Sequence, residues 1–499
     1  MENYTVEVLR RLRAAGDSEA VVFEHRRISG TEAVRTILRF AEALRAMGLG
    51  EGEGVALFTE NTPEALFLML AIHYLGLRLV FVPPERGDAE LAAFVRRAQV
   101  EMLLVDPAFR ERAERMAVQR VYDIGPGFLR TAADRTDLTI DDAAASRRLT
   151  TVFYTGGTTG EPKLVTHGNG YYLDVTPARQ GAARMLVATP ITHTSGHIGS
   201  LRGLLTGAVV LLRTFDAAAT LSVMGRERVT SVVVTTPMLD ELLDQPGCDP
   251  GRFPALTSLI YGGVAPAPAR LRQAIACFGP ILTQVYGTTE CGVVAVLPPQ
   301  AHDPARPASL TSCGRPIPGV EVELRDGEGR VVEARQAGEL WVRSRSVMTG
   351  YWGDPRATAR VLDAGGWFRT GDLVRQDDDG YLYVLDRLRD VIVTGRAADN
   401  VYSRLLDDFL VAQPGIQEAA TVGLAGAAGE TVHVVLVVTD PPDLPELTRR
   451  IVDALGEIYR PASYRIVGSL PRTPLGKVDK RALRTLLTRP ARPSARRRT

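Results

Sequence analysis

An alternation of short apolar strands with helices in the first quarter of the chain constrains the fold most. The apolar strand at 55–58 is followed by Thr62, a preferred N-cap residue, and by Pro63, which suits the first helical position. The helix that these residues begin is predicted to lead into a buried strand at 79–82. Because parallel strands need a crossover helix between them, this alternation predicts an α/β fold with several parallel strands. Further strands of the same kind are predicted at 102–105, 185–188, 209–212, 232–234 and 258–261.

The pattern changes twice further along the chain. After about residue 310, short strands separated by turns replace the helices, which indicates a β-rich subdomain. From Asp390 onward, strands and helices alternate over roughly a hundred residues, which is typical of a compact α+β domain. The predicted fold class is therefore α/β, with a large N-terminal domain of parallel α/β layers plus a β-rich subdomain, and a small α+β C-terminal domain. The predicted boundaries are 1–386, 387–485 and 486–499, the last being a disordered basic tail that reads RPARPSARRRT from residue 489.

Composition narrows the kinds of partner that the protein can have. The chain has 499 residues, with 59 Lys and Arg against 58 Asp and Glu, so no excess charge points to a nucleic-acid or membrane surface. Its longest apolar stretch, 65–82, is interrupted by His73 and Arg78, which argues against a membrane span. We therefore expect a small substrate bound in a pocket, with no nucleic acid and no membrane as partner.

The N-terminal sequence and the cysteines indicate where the protein works. The N-terminal segment, MENYTVEVLRRLRAAG, lacks the basic start, apolar run and cleavage site of a signal peptide, so we predict a cytoplasmic protein. We expect either a monomer or a homodimer. The cysteines show neither metal-ligand spacing nor a dense disulfide pattern, and we expect buried or inert thiols in a reducing compartment. They are Cys248, Cys277, Cys291 and Cys313.

A loop rich in glycine and threonine is the strongest candidate for a binding site. The sequence YTGGTTGEPK, residues 154–163, follows a short β-branched and aromatic strand. Its glycines let several backbone N–H groups turn toward one anion, its threonines add hydroxyls that can also bind a metal, and its lysine adds a compact positive charge. The loop therefore predicts a polyphosphate site, although it is not a Walker A loop and an ordinary surface turn has a similar composition. The residues concerned are Thr155, Gly156, Gly157, Thr158, Thr159, Gly160 and Lys163.

Further segments contain side chains suited to nucleotide chemistry. Each places a charged residue beside hydroxyls, glycines or a turn. They are QVYGTTECG (284–292) with Tyr286 and Glu290, WFRTGDLV (367–374) with Asp372, YLYVLDRLRDVIVTG (381–395) with Arg387 and Arg389, and PRTPLGKVDKRAL (471–483) with Lys477.

In this order and spacing, these segments and the loop resemble the adenylate-forming superfamily: acyl- and aryl-CoA synthetases, the adenylation domains of peptide synthetases, and luciferases. The resemblance covers about residues 20–485. It implies an ATP- and acid-binding N-terminal domain, 1–386, and a mobile catalytic C-terminal domain, 387–485. It also implies an AMP-forming ligase that joins a carboxylate to the α-phosphate of ATP, releases pyrophosphate and passes the acyl group to a second nucleophile.

The resemblance assigns the phosphate and metal ligands. The loop 155–163 would wrap the β- and γ-phosphates, and Glu290 would hold Mg²⁺ between phosphate oxygens with Thr158 and Thr159 as further metal ligands. Lys477 would stabilise the charge that develops as the carboxylate attacks the α-phosphate. A solvated glutamate and a surface lysine are the structural alternatives.

The nucleoside has a second set of ligands in this resemblance. Tyr286 would stack on adenine, and Asp372 and Arg387 would bind the ribose hydroxyls. A packed core tyrosine and a turn aspartate are the alternatives. The other residues expected to line the nucleotide are Gly262, Gly263, Gly287, Thr288 and Thr289.

The acid is expected against PITHTSGHIGS, residues 190–200. His193 matches the family's histidine near the substrate carboxylate and counts as a catalytic residue with Lys477 and Glu290, whereas a core histidine is its alternative. The segment lacks the acidic residue that anchors an α-amino acid, and its polar side chains favour an aryl or arylacrylic acid over a long aliphatic chain. The predicted pocket comprises His193, Thr194, Ser195, His197, Gly199, Gly263, Gly287 and Gly292.

The chain departs from the family in places that affect the second step. Gly156 stands where the family often has Ser, and Leu164 where it often has Gly. After the hinge residue Arg389, the turn GRAADNVYS, 395–403, is about two residues longer than the family's, and the bulky Arg396 stands where pantetheine would approach.

These departures leave several functions open. The first hypothesis is transfer of the acyl group to CoA, and the second is loading of a carrier-protein phosphopantetheine. A third is a non-thiol second step, either amide formation or nitrite activation that gives a diazo product. A nucleotide-binding regulator without turnover is the hypothesis from a different class, and retained Glu290, Asp372, Arg387 and Lys477 argue against it.

Overall fold

The computed structural model divides the chain into two compact units. It describes residues 4–125, 128, 139–155, 163–173, 183–246, 248–306, 309–333, 335–394, 399–426, 429–473 and 477–488. The first unit comprises Met1–Val322 and Trp341–Thr370, and the second comprises Glu323–Leu340 and Gly371–Thr499. The predicted boundary at 386/387 concerns the start of the mobile C-terminal domain, and it stays a prediction.

The strands form the sheets around which both units are built. In chain order they are β1 (Glu19–Phe23), β2 (Arg26–Ser29), β3 (Gly54–Phe58), β4 (Arg78–Phe81), β5 (Met102–Val105), β6 (Val121–Asp123), β7 (Thr150–Thr155), β8 (Lys163–His167), β9 (Ala183–Val187), β10 (Gly207–Leu211), β11 (Ser231–Thr235), β12 (Ser258–Gly262), β13 (Leu282–Thr288), β14 (Gly292–Leu297), β15 (Arg315–Pro316), β16 (Glu321–Arg325), β17 (Ala337–Arg343), β18 (Gly350–Tyr351), β19 (Phe368–Gln376), β20 (Leu382–Arg387), β21 (Ile392–Thr394), β22 (Asp399–Val401), β23 (Ile416–Gly426), β24 (Gly429–Val438) and β25 (Ser463–Ile466).

The helices cover the faces of these sheets. They are α1 (Tyr4–Ala15), α2 (Gly30–Ala46), α3 (Pro63–Tyr74), α4 (Asp88–Arg97), α5 (Arg110–Glu114), α6 (Asn169–Leu173), α7 (Thr194–Thr206), α8 (Ala217–Arg226), α9 (Thr236–Leu243), α10 (Pro268–Phe278), α11 (Pro355–Val361), α12 (Ser403–Val411), α13 (Leu444–Leu455) and α14 (Lys480–Thr488). Among the residues that the structure describes, no helix is both long and apolar enough to cross a membrane.

Two sheets of mostly parallel strands build the first unit. In the described part of the chain, one has the order β15-β14-β13-β12-β11-β9-β10-β1-β2 and the other the order β18-β8-β7-β4-β3-β5-β6. The strands from β13 to β1 in the first sheet, and from β7 to β6 in the second, are parallel to their neighbours. The parallel α/β layers predicted from the sequence are thus confirmed.

The core between these sheets is formed by helices α1, α2, α3 and α7. Thr62 caps α3 as predicted, since its side chain accepts a hydrogen bond from the Ala65 N–H, and Pro63 takes the first helical position. Every α3 residue except Glu64 is buried, as expected for a helix with a sheet on either side. The outer faces carry α4 on one sheet and α8, α9 and α10 on the other.

A smaller sheet of order β16-β17-β19-β20 matches the β-rich region expected after residue 310. The second unit also contains the sheet β22-β21-β24-β23, with β25 paired to β24. Helices α12 and α13 pack on one face of it, and α14 packs on the other. Helix α14 continues to Thr488, beyond the predicted end of the folded domain at 485, because Leu486 and Leu487 pack against that face.

The cysteine prediction was wrong for one pair. Cys248, which follows α9, and Cys277, in α10, form a disulfide with a Cα–Cα distance of 5.3 Å. Their separation of 29 residues gave no signal in the sequence, because only the packing of α10 brings the two backbones within disulfide range. Cys291 and Cys313 are buried, as expected.

Candidate active site

The predicted site residues of the first unit collect at the carboxyl ends of its parallel strands. His193 follows β9, Gly263 follows β12, and Tyr286 lies near the end of β13. These strands are parallel, so their carboxyl ends meet at one edge of the larger sheet. Ligands of open α/β sheets bind outside this edge, and the arrangement is therefore suited to a small-molecule site.

The strands that flank the phosphate loop form a hairpin. Thr155 ends β7 and lies directly opposite Lys163, which begins β8. Residues 156–162, which include the predicted ligands Gly156, Gly157, Thr158, Thr159 and Gly160, lie outside the described residues. The hairpin brings Thr155 and Lys163 together at the base of the loop, on one face of the sheet.

A tyrosine that the sequence reasoning missed joins Lys163 to Glu290. The Tyr351 hydroxyl accepts a hydrogen bond from Lys163 Nζ at 3.2 Å and donates one to Glu290 Oε1 at 3.2 Å. Glu290 lies in the turn between β13 and β14, so this contact links the two sheets of the first unit. The arrangement brings one cation and one carboxylate together where the predicted phosphate loop ends at Lys163, and these charges are suited to a magnesium-bound polyphosphate.

The β13–β14 hairpin that presents Glu290 needs glycine at two positions. A Cβ at Gly287 would lie 2.0 Å from the Gly292 carbonyl oxygen, and Gly292 has a φ of +68°. Tyr286 is half-buried on β13 opposite Ala295. Gly287 and Gly292 therefore set the close approach of the two strands, in addition to the pocket role that the resemblance assigns to them.

The glycines predicted to approach the nucleotide have different structural reasons. A Cβ at Gly262 would lie 2.5 Å from the Val285 carbonyl oxygen, so the neighbouring strand alone excludes a side chain there. Gly263 has a φ of +93° and no described atom within 4 Å of an added Cβ. Open space of this kind beside Gly263 is compatible with a bound ligand.

His193 pairs with a carboxylate that was not predicted. Its Nε2 lies 3.6 Å from Glu85 Oε1, and the exposed fractions of the two side chains are 14% and 27%. Burial acts to raise the pKa of Glu85, but the hydrogen bond and charge of His193, together with a backbone hydrogen bond and the charge of Arg86, leave that pKa lowered. Glu85 follows β4 and His193 is the N-cap of α7, so the pair lies where the carboxyl ends of the two sheets face each other.

His197 belongs to a buried polar network instead of an open surface. Its Nε2 lies 3.0 Å from the Tyr172 hydroxyl, which lies 2.5 Å from Thr151 Oγ1, and Thr151 in turn contacts His73 Nε2 at 2.9 Å. Burial lowers the pKa of His73 to about 3 and that of His197 well below its ordinary value, so both rings are neutral. Thr194 and Ser195 are half-buried and Gly199 is buried on the same helix.

The predicted ribose ligands meet in the second unit. Asp372 on β19 lies directly opposite Arg387 on β20, and Arg387 Nε lies 2.6 Å from Asp372 Oδ1. Asp372 is almost fully buried, with 1% of its surface exposed. Two adjacent groups, one acceptor and one donor, suit the vicinal hydroxyls of a ribose.

The predicted hinge residue and the predicted catalytic lysine belong to the same unit. Arg389 Nε lies 3.8 Å from Asp390, and Asp390 also pairs with Arg484 at 3.3 Å. Lys477 is exposed, and its carbonyl accepts a hydrogen bond from the Thr473 N–H at 2.7 Å. The catalytic role of Lys477 stays a prediction.

The turn after the hinge is a β-hairpin. Strands β21 and β22 are antiparallel, with Thr394 opposite Asp399. Residues 395–398, including Arg396, lie outside the described residues. The departure from the family, 395–403, thus includes β22 and the first residue of α12.

Magnesium fits the donor set at Glu290. No group of three or more His, Cys, Asp or Glu side chains that could hold a metal exists among the described residues. Mg²⁺ is commonly bound through one or two carboxylates plus substrate phosphates and water, so a single carboxylate beside a phosphate loop is sufficient. This donor set does not suit a structural zinc or calcium ion.

Comparisons with known proteins identify the family of the chain. Residues 8–352 match the family model of the AMP-binding enzymes, and residues 406–477 match that of the AMP-binding enzyme C-terminal domain. A medium/long-chain-fatty-acid–CoA ligase of Mycobacterium tuberculosis, FadD8, is 32% identical over 92% of this chain and 85% of its own length.

Two solved structures extend the comparison. The amide bond synthetase McbA of Marinactinospora thermotolerans is 33% identical, with a TM-score of 0.86 over 97% of this chain and all of the neighbour. The o-succinylbenzoate CoA synthetase of Bacillus subtilis, in complex with ATP and magnesium, is 26% identical, with a TM-score of 0.83 over 96% of this chain and 98% of its own.

Proposed function

This chain belongs to the AMP-binding enzyme family, and from that premise we propose that it activates a carboxylic acid other than an α-amino acid as its acyl adenylate. The resemblance to the adenylate-forming superfamily is confirmed, and the protein is an AMP-forming ligase. Its fold class is confirmed by the solved structures of the family. ATP and Mg²⁺ are the cofactors of the first step, in keeping with the magnesium–ATP complex of the succinylbenzoate enzyme.

The contact of Lys163, Tyr351 and Glu290 is the observation that carries this proposal. The reaction brings a carboxylate toward a polyphosphate, so its main obstacle is the repulsion between two anions. Lys163 would offset the charge of the β- and γ-phosphates, and Glu290 would hold the metal. Magnesium, when bound, would supply further charge neutralisation for the leaving pyrophosphate.

The other proposed residues act on the nucleoside and on the acid. Tyr286 stacks on adenine, and the pair of Asp372 and Arg387 binds the ribose hydroxyls. Lys477 contacts the attacking carboxylate and the α-phosphate oxygens. The acid lies beside His193 at the start of α7, where the half-buried Thr194, Ser195 and the neighbouring polar groups favour an aryl or arylacrylic acid.

We propose CoA as the acceptor in the second step. A thiol attacks the acyl carbon, the bond from that carbon to the AMP oxygen breaks, and AMP leaves. The CoA ligase FadD8 supports a thiol acceptor, and a carrier-protein phosphopantetheine would present the same thiol. Arg396, in the departing segment 395–403, is the residue that either acceptor would meet.

An amine acceptor is the second candidate, and the Glu85–His193 contact favours it. An amine that attacks the acyl carbon must lose a proton as AMP departs. His193 could take that proton, and Glu85, 3.6 Å from its Nε2, would stabilise the imidazolium that forms. McbA, named as an amide bond synthetase, supports this alternative. Nitrite remains the other non-thiol acceptor from the sequence analysis.

Mass spectrometry of the products tests the proposal. The protein is incubated with ATP, Mg²⁺ and a panel of aryl, arylacrylic and aliphatic acids, and CoA, holo carrier protein, an amine or nitrite is offered in turn. We expect an acyl adenylate from at least one aryl acid and a thioester with CoA. Glu85→Gln should slow amide formation more than thioester formation if the amine is the acceptor.

Two results would contradict the proposal at different levels. If no acid supports exchange of pyrophosphate into ATP, the protein does not form adenylates, and the regulator hypothesis replaces it. If an adenylate forms but no thiol receives the acyl group, the CoA step is wrong and the adenylation step stands.

A further inference from the structure

We propose that Tyr351 is a positioning residue for the metal-bound nucleotide, and that its phenol sets the orientation of Glu290 and of Lys163. This inference rests on the proposed function, because it takes Glu290 as the magnesium ligand. It assigns a role to a side chain that lies outside the loop and outside the segment that carries Glu290.

The phenol can satisfy both neighbours at once. Its oxygen accepts from Lys163 Nζ and its hydrogen is donated to Glu290 Oε1, with both distances at 3.2 Å. The ammonium also lies 4.7 Å from the centre of the Tyr351 ring, within range of a cation–π contact. One side chain therefore orders a cation and an anion without bringing them into a direct ion pair.

Backbone pairing places these groups together. Tyr351 on β18 lies opposite Val165 on β8, and Lys163 lies two residues before Val165, hence on the same face. The Glu290 carbonyl accepts a hydrogen bond from the Met348 N–H at 2.7 Å, three residues before Tyr351. The three side chains thus converge because their backbones are joined, so the arrangement exists before any ligand binds.

The phenol is buried beside these two neighbours. Tyr351 is 6% exposed, and a buried hydroxyl of this kind takes its hydrogen-bond partners from the protein. Because this donor takes Oε1, the second oxygen of Glu290 has no hydrogen bond from the described residues and could serve a metal.

A hydrogen-bond donor to a metal-binding carboxylate affects the affinity for the metal. A carboxylate that binds a metal is commonly held by a second hydrogen bond, and loss of that bond typically weakens metal affinity about 10–100-fold. If Tyr351 served only to fill the edge of the sheet, its hydroxyl would have no effect that depends on the metal. A positioning role for Tyr351 therefore predicts weaker binding of the magnesium nucleotide alone, whereas a purely structural role predicts no such selective loss.

Calorimetric binding to Tyr351→Phe tests the inference without turnover. The ligands are the magnesium complex of α,β-methylene-ATP, whose α–β bond cannot be cleaved, and AMP without metal. We expect affinity for the magnesium nucleotide to fall about 10–100-fold and affinity for AMP to stay unchanged. Tyr383→Phe is the matched control, because it removes the hydroxyl of a tyrosine on β20 that donates to Asp377 Oδ2 at 2.9 Å. This variant should bind both ligands as the wild type does.

A double variant shows whether Tyr351 acts through Glu290. In the Glu290→Gln background, Tyr351→Phe should cause a smaller loss of affinity for the magnesium nucleotide than it does in the wild type, because only the contact with Lys163 is left to lose. Fully additive losses, equal losses for both ligands, or an unchanged affinity for the magnesium nucleotide would each overturn the inference. Weaker binding by Glu290→Gln together with normal binding by Tyr351→Phe would reject the role of Tyr351 alone. Normal magnesium dependence in Glu290→Gln would reject the proposed metal ligand itself.

Discussion

Replacing Asp386 should release the start of helix α12 and disturb the adenylation step. One carboxylate oxygen, Oδ2, accepts hydrogen bonds from the N–H and the hydroxyl of Ser403, at 2.6 and 2.7 Å. The other, Oδ1, accepts from the Arg387 N–H at 2.8 Å. Ser403 also accepts from Lys480 Nζ at 2.5 Å, and Lys480 begins α14 three residues after Lys477.

The size of the effect follows from these bonds. Asp386 is 5% exposed and Ser403 is fully buried, so Asp386→Ala leaves two buried donors of Ser403 without their acceptor. Each such donor costs about 1–3 kcal/mol, which gives about 2–6 kcal/mol for the pair. Asp386→Asn should cost less, because its remaining oxygen can still serve Ser403 while its amide group faces the Arg387 N–H.

Hydrogen–deuterium exchange with mass spectrometry measures this loss locally. A cost of about 2 kcal/mol or more should raise exchange in α12 by about 30-fold or more, since each 1.4 kcal/mol is tenfold. Pyrophosphate exchange should fall in parallel, because the loop of Lys477 loses its anchor through Lys480. Asp378→Ala, which breaks only an exposed pair with Arg335, is the control and should leave exchange in α12 unchanged. Unaltered protection of α12 in Asp386→Ala would refute the reasoning.

Three further outcomes are expected. Lys477→Ala should abolish adenylate formation while transfer from a supplied acyl adenylate continues, and equal loss of both steps would show that its assigned role is wrong. Burial raises the pKa of Asp407 to about 7, so the folded protein keeps a proton that the unfolded chain releases near pH 4. The free energy of unfolding should therefore fall as the pH rises from about 4 to about 7, and Asp407→Asn should flatten that slope in denaturant titrations. Opening the Cys248–Cys277 disulfide, which spans 29 residues, should lower the free energy of unfolding by about 3–4 kcal/mol, and alkylation of both cysteines in the unreduced, denatured protein would contradict the bond.

Most elements of the fold could be predicted because their signals are local. The cap at Thr62 and the proline after it located the start of α3 to the residue. Strand β5 was predicted with its observed bounds, and most other boundaries moved by a residue or two. Helix α13 ends at Leu455, because Gly456 follows with a φ of +98°.

Contacts between side chains within the site could not be predicted from local sequence signals. Tyr351 and Glu85 are single residues in ordinary surroundings, and neither belongs to a segment whose composition suggests chemistry. Tyr351 lies 61 residues from Glu290 and 188 from Lys163, so no periodicity or spacing connects them. His197 had the same polar neighbours as His193 in the sequence, yet it faces the core and His193 faces Glu85.

The amino-acid sequence by itself determined which chemical groups are available and the order in which they occur: the Gly/Thr loop, Glu290, Asp372, Arg387 and Lys477. These groups could be recognised because each motif is a short run of neighbouring residues whose backbone needs and side-chain chemistry are local. Only the tertiary structure decided the partners of these groups. The pairing of β18 with β8 and the facing ends of β4 and β9 bring distant residues into contact, and such distances depend on strand register and packing over the whole unit.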